Sequence, residues 1–335
     1  MTLKTTFLGA AATALVMAAT AAVAEPALIY DLGGKFDKSF NEAAYHGAEE
    51  WAKETGGKYK DIEISSEAQR EQVLRRFAEE GFSPIITTGF SFSTPIANIA
   101  ADYPDVKFVT IDGYVDPDGH PNVLSVLFKE EEGSYLVGML AAEKSTTGTV
   151  SFVGGMDIPL IRKFACGYAQ GAKAAKPDIK VVANMIGTDP SAWNDQLKAS
   201  ELTKAQIAQG SDVIFAAAGA SGLGVLQTAA DENVYGIGVD SNQNYLHPGH
   251  VLTSMLKRVD LAVKEAMTEG EDLKTGVKIE GLAEDGVGYA MDDNNADLIT
   301  DAMKTSVADA KAKIISGEIK VHDYSADNTC PALDF

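Results

Sequence analysis

Residues 107–128, KFVTIDGYVDPDGHPNVLSVLF, hold two apolar runs of strand length separated by a loop rich in Gly, Pro and Asp, and the first run stops at Asp112. The same order returns at 235–256, YGIGVDSNQNYLHPGHVLTSML, where the first run stops at Asp240. Upstream, PIITTG at 84–89 matches VIFAAAG at 213–219. These matched pairs, in one order, make the two halves of the chain copies of a single module. Each run is apolar on both faces, as a sheet covered by helices requires.

The flanking sequence completes both copies by alternating β-branched runs with amphipathic segments of helical length. The first half reads ALIYDL (27–32), a helix over 39–55, DIEIS (61–65), a helix over 67–81, PIITTG, a helix over 93–102, then the pair of runs above. A helix from Glu130 to Lys144 follows. The second half reads TVSFVGG (149–155), a helix over 159–175, IKVVANMIG (179–187), a helix over 191–209, DVIFAAAG, a helix over 221–232, then the second pair of runs. After them come a helix LKRVDLAVKEAMTEG (256–270), an extended Gly-punctuated stretch (276–291), a helix near 295–316 and a short tail. The fold class is therefore α/β, with two Rossmann-like lobes built on parallel sheets. The expected division is 25–128 plus 255–277 for the N-terminal lobe and 129–254 plus 278–335 for the C-terminal lobe. In such modules ligands sit outside the carboxyl ends of the strands, so Asp31, Gly89, Asp112, Gly155, Gly219 and Asp240 are expected to face one cleft between the lobes.

Residues 1–24 have a single Lys, an Ala/Leu/Val stretch and the small-residue end Ala22, Val23, Ala24, the pattern of a cleaved secretory signal. No cysteine follows that site, so the expected product is a soluble periplasmic protein without a lipid anchor. A formal charge of −20 repels nucleic-acid phosphates and anionic lipid surfaces. At 335 residues the chain fills two cores rather than one. Cys166 and Cys330 either pair and tie the C-terminal tail to the body or remain two thiols that never meet; the sequence leaves both open.

The five histidines show no metal-ligand spacing, and HPGH at 247–250 sits on a Pro-Gly turn. Neither a G-x-S-x-G elbow nor a phosphate-binding glycine motif occurs. No catalytic set, metal or cofactor is expected. The strand ends offer recognition chemistry instead. Asp37, Asn41, Asp112 and Asp240 are acceptor-rich, Lys257 is a donor, and Phe40 and Trp193 are flat apolar faces. That set suits a flat heterocycle carrying N–H donors and a polyhydroxylated sugar. Bland readings stand beside it: Asp37 and Ser39 as helix caps, Phe40 and Trp193 as packing residues, Asp112 and Asp240 as turn formers, Gly219 as backbone freedom, and Lys257 as a solvated charge at a helix start.

The stretch DLGGKFDKSFNEAAYHG (31–47) resembles the N-terminal signature of the basic membrane protein family of substrate-binding proteins, which includes purine nucleoside receptors of ABC importers. The resemblance continues through VTIDG, FVGGMDIPLIRKFACGYAQGAK, GVDSNQ and SMLKRVD, in the family's order, over essentially the whole mature chain. It implies the type I periplasmic binding protein fold with a three-crossover hinge. It further implies that Phe40 and Trp193 stack on a purine, although Phe is common in relatives where this chain has Trp193. Asp37 and Asn41 would read the base edge, with Asp112 nearby, and Asp240 and Lys257 would hold the ribose hydroxyls, helped by Gly219. The implied partners are a purine nucleoside and an inner-membrane ABC permease, the implied state a monomer. Alternatives are a free purine base or other riboside and, from another class, a secreted nucleoside-hydrolysing enzyme; the latter lacks a calcium-binding Asp cluster.

Overall fold

The computed structural model describes residues 24–335, so the secretory signal expected over 1–24 lies almost wholly outside the described residues. In chain order the first module comprises β1 (Ala27–Tyr30), α1 (Phe40–Thr55), β2 (Lys60–Glu63), α2 (Gln69–Glu79), β3 (Ile85–Thr88), α3 (Ser93–Ile99), β4 (Phe108–Ile111) and β5 (Val123–Phe128). The second comprises α4 (Glu130–Lys144), β6 (Thr149–Met156), α5 (Pro159–Ala175), β7 (Lys180–Gly187), α6 (Gln196–Ala208), β8 (Val213–Ala217), α7 (Gly222–Asp231), β9 (Tyr235–Asp240) and β10 (Val251–Lys257). Then come α8 (Val259–Glu269), β11 (Gly276–Glu280), β12 (Val287–Tyr289) and α9 (Asp301–Ile315).

Two six-stranded sheets result, ordered β11-β5-β4-β3-β1-β2 and β12-β10-β9-β8-β6-β7. Position by position the orders are the same, so the duplication legible in the sequence is a duplication of topology. All pairings are parallel except β10 with β12. The inner strands β1, β3 and β8 are buried along their whole length, which their apolar runs demand.

The chain passes between the sheets after β5, after β10 and between β11 and β12. The helix α8 packs on α1, and α4 packs on α5, β10 and β12. The α4–α5 contact is unusually close because glycine faces backbone there: a Cβ at Gly171 would lie 1.9 Å from the Tyr135 carbonyl oxygen, and one at Gly138 2.1 Å from that of Tyr168.

Three expected helices start later than periodicity suggests, two because a cap sets the start and one because a strand runs on. The helix expected over 191–209 begins at Gln196, because Asp195 caps it through Lys198 N at 2.9 Å and Pro190–Trp193 forms a separate 3₁₀ turn capped by Asp189. The helix expected near 295 begins at Asp301 after Thr300. The helix expected from Leu256 begins at Val259, and Leu256 and Lys257 are the last residues of β10. Lys257 is thus not a solvated helix-start charge; its side chain is 2% exposed.

Cys166 and Cys330 are bonded, with Cα atoms 5.7 Å apart. The bond fixes the tail on α5, where Arg162 donates to the Tyr324 hydroxyl at 2.9 Å and Gln170 donates to the His322 carbonyl at 3.0 Å. It closes a loop across 164 residues, so its removal releases a large denatured-state entropy. Cys330→Ser is expected to lower stability by roughly 2–5 kcal/mol, read as a lower urea midpoint. A midpoint equal to that of the oxidised parent would show that the bond only decorates the tail.

Candidate functional site

Both sheets reverse strand order at the same place, between β1 and β3 and between β6 and β8, and crevices open at such reversals. In the first lobe the crevice is bordered by the turn 31–39. Three side chains, Asp37 and Asn41 buried and Asp31 half-buried, hold that turn. Asp31 accepts from Arg70 Nη2 at 2.8 Å and Nε at 3.1 Å, and from Leu32 N at 2.8 Å. Asn41 donates to the carbonyls of Asp31 and Gly34 at 3.2 and 3.1 Å and accepts from the Thr88 hydroxyl at 2.7 Å. Its two N–H donors are therefore spent on shaping the turn, while Oδ1 keeps one acceptor lone pair. Asp37 caps α1, accepting from the backbone N–H of Ser39, Asn41 and Glu42 at 2.8, 3.0 and 3.1 Å. Burial pushes its carboxyl up to about 7. The hydroxyl of Ser39, freed from capping, reaches across the cleft to Asp240.

The second lobe supplies Trp193 from its 3₁₀ turn. A Cβ at Gly155 would lie 2.3 Å from the indole, so the bare glycine is what lets the ring lie flat against β6. Gly155 accordingly does not face the cleft as its strand-end position suggested; it sits beneath Trp193. Gly219, at φ 56°, borders the same residue, with its Cβ position 3.4 Å from the Trp193 carbonyl oxygen.

All eight candidate residues, Asp37, Phe40, Asn41, Asp112, Trp193, Gly219, Asp240 and Lys257, line one cavity between the lobes, about 670 Å³ in extent including its opening to solvent. Sequence reasoning missed an apolar wall formed by Phe90 after β3 and by Leu160, Ile161 and Phe164 on α5. The only signal for it was the amphipathic start of α5, which points inward or outward equally well on paper.

Asp112 and Asp240 end equivalent strands, and both take left-handed backbone, at φ 67° and 63°. Lys257 Nζ lies 2.6 Å from Asp112 Oδ2 and 2.8 Å from Glu130 Oε1. It also lies 5.2, 5.0 and 5.5 Å from the ring centres of Phe40, Phe128 and Phe164. Burial pushes Asp112 up to about 6, opposed by Lys257 and reinforced by Glu130. Burial also raises Asp240, against the pull of Lys257 and the Ser39 hydroxyl. Burial alone would lower Lys257, but Asp112, Glu130 and Asp240 outweigh it and hold the ammonium charged. Asp112 Oδ1 is buried without a hydrogen-bond partner.

The lining thus carries four carboxylates, Asp31, Asp37, Asp112 and Asp240, and one ammonium already engaged by two acids. Such a lining accepts N–H and O–H donors and repels anions. Among the described residues no cluster of three or more His, Cys, Asp or Glu side chains could hold a metal ion. The lobes meet at the seam through Gln243 Nε2 donating to the Lys38 carbonyl at 2.9 Å and Ser241 Oγ donating to the Ser39 carbonyl at 3.0 Å.

A family profile described as "ABC transporter substrate-binding protein PnrA-like" matches residues 26–325. The chain is 30% identical to the "ABC transporter nucleoside-binding protein BmpA" of Lactococcus lactis subsp. cremoris, over 88% of each chain. It is 35% identical to basic membrane protein D of Borreliella burgdorferi, over 72% of each. Among solved structures, an ABC transporter system solute-binding protein of Aeropyrum pernix K1 superposes with a TM-score of 0.79 at 27% identity, covering 90% of this chain and 93% of that one. The two-lobed arrangement is that of type I periplasmic binding proteins.

Proposed function

This chain belongs to the PnrA-like family of ABC transporter substrate-binding proteins, and we propose that its solute is a purine nucleoside gripped between the lobes and handed to a membrane permease. As a substrate-binding protein it binds and releases its solute without transforming it. The observation that carries the nucleoside reading is the pairing, in one cavity, of Phe40 and Trp193 with the buried cluster Asp112, Asp240 and Lys257. The aromatic faces suit a base, and the acids clustered at Lys257, beside the Phe40 ring, suit vicinal hydroxyls. The unpartnered Asp112 Oδ1 supports a hydroxyl-bearing ligand over a bare base, because a buried acceptor left unpaired is costly. With both N–H donors of Asn41 held by its turn and Asp37 capping α1 with lone pairs to spare, base-edge reading falls to Asp37 and to the remaining lone pair of Asn41 Oδ1. Hinge closure around the solute completes the mechanism; because β10 runs to Lys257 in the second sheet and β11 to Glu280 in the first, the expected boundaries at 255 and 277 shift to 258 and 280, giving lobes of 25–128 plus 258–280 and 129–257 plus 281–335. A periplasmic, monomeric protein fits this role.

The decisive experiment is mass spectrometry of small molecules released from purified protein, followed by calorimetric titration with inosine, guanosine and adenosine, their bases and their 5′-monophosphates. Nucleosides are expected to bind, and monophosphates to bind at least about 100-fold more weakly, since their charge meets carboxylates. Tighter binding of bases than nucleosides would assign the site to free purines. Equal binding of monophosphates would contradict the electrostatic reading.

A further inference from the structure

The run Lys129, Glu130, Glu131, Glu132 follows the first crossing directly and opens α4. An acidic first turn is ordinary helix-dipole chemistry. Here, however, the run touches all three crossings. The backbone N–H of Lys129 donates to the Glu280 carbonyl at 2.9 Å, and Glu132 Oε2 accepts from Leu282 N at 2.9 Å, both at the third crossing. Glu130, with a side chain 1% exposed, lies 2.8 Å from Lys257 Nζ at the second crossing and 3.0 Å from Lys163 Nζ on α5. Lys163 in turn donates to the Phe128 carbonyl at 2.7 Å and lies 3.4 Å from Glu131 and 3.8 Å from Asp323. Glu130 does not line the cleft.

We infer that Glu130 is a positioning residue for the solute: by holding Lys257 Nζ together with Asp112 it fixes the ammonium beside Phe40. The inference rests on the nucleoside reading above. Its geometric basis is that Lys257 Nζ is held between Asp112 and Glu130, so neither acid alone decides where the ammonium sits. The charged groups facing Asp112 are Lys257 from β10, Glu130 from α4 and Asp240 from β9. Those facing Asp240 are Lys257 from β10, Glu130 from α4, Asp112 after β4 and Asp37 before α1, beside the Ser39 hydroxyl. Burial raises both acids, and the negative charge of Glu130 adds to the rise in each.

The sign follows. Ionised acceptors bind hydroxyls more strongly than protonated ones, so affinity for a nucleoside falls as pH drops through about 6, where Asp112 takes up its proton. Replacing Glu130 by neutral glutamine removes an upward push on both acids, and the fall moves to lower pH. Asp37 also titrates in this range, but it is raised by burial and by Asp240, opposed by the α1 N–H groups, and Glu130 does not act on it.

The test is calorimetric titration of the full chain with inosine from pH 5 to 8, for the parent and for Glu130→Gln. The variant is expected to bind about tenfold more weakly at pH 7.5. Its pH midpoint is expected to lie about one unit lower. Unchanged affinity and midpoint overturn the inference, as does weaker binding with an unmoved midpoint, which is what a purely structural role would give. Should Glu130→Gln fail to fold, Glu130→Gln combined with Lys163→Gln removes one charge of each sign and leaves the Lys257–Asp112 pair. The same midpoint shift is then expected, and its absence overturns the inference. A parent protein that binds no nucleoside would refute the proposed solute before any variant is compared, and the inference with it.

Discussion

Lys257→Met is expected to lower stability by about 3–5 kcal/mol and to abolish nucleoside binding, the largest effect of any single substitution in the cleft. The size comes from what remains. Methionine fills the same volume among Phe40, Phe128 and Phe164, so little packing is lost. Asp112 and Glu130, with side chains 6% and 1% exposed, lose the cation that lies 2.6 and 2.8 Å from them. Glu130 keeps Lys163 at 3.0 Å, so the uncompensated charge falls chiefly on Asp112. A pH signature separates this account from simple loss of packing. In the parent, Lys257 lowers Asp112 and Asp240 against the rise caused by burial. Without it the folded-state values of both acids climb further above their unfolded values. A raised acid favours the folded state at low pH and loses that contribution as pH rises through its folded value. The stability deficit of the variant should therefore be larger at pH 8 than at pH 5, measured as the difference in urea midpoints. Equal deficits at both pH values would assign the loss to packing, and a deficit under about 1 kcal/mol would remove the buried-pair account.

Much of this architecture was readable because it is local. β4 and β9 each end an apolar run on an aspartate, and both aspartates adopt left-handed backbone at the cleft. Strand runs separated by helical periods repeat in one order, and the sheets repeat it too. Charge partnerships formed across the fold were not readable. Lys257 lies between VLTSML and a helical pattern, and nothing local says that the strand continues one residue further and carries its ammonium inward. The reason lies 145 residues away, at Asp112, and in the first turn of α4, at Glu130. The three glutamates there read alike as a helix start, yet Glu130 bridges Lys257 and Lys163, Glu131 shares Lys163, and Glu132 accepts from Leu282 N. Asn41 shows the opposite limit. Its place in a family signature implied contact with a base; its two donors instead hold the carbonyls of Asp31 and Gly34, a demand set by the turn itself, and its Oδ1 also accepts from Thr88 at the end of β3.

Trp193→Ala and Phe40→Ala should each weaken nucleoside binding by roughly tenfold to a hundredfold, since stacking a base on an aromatic ring contributes ~1–3 kcal/mol by alanine substitution. Truncation alone leaves two readings, because it removes the indole's packing over Gly155 together with its stacking face. Gly155→Ala separates them from beneath. The new methyl would stand 2.3 Å from Cζ3 of the indole, so the ring must tilt off β6 while every cleft side chain keeps its chemistry. If the flat presentation of the indole is what binds the base, Gly155→Ala should lose a large part of what Trp193→Ala loses. Gly219→Ala should lose less through the ring, since its methyl would be 3.8 Å from Cε3, although its φ of 56° adds backbone strain. Calorimetry on the three variants orders them. Parent-like affinity in both Phe40→Ala and Trp193→Ala would remove the sandwich. Full affinity in Gly155→Ala, with Trp193→Ala impaired, would mean that the indole acts by bulk at the cleft wall rather than by its face.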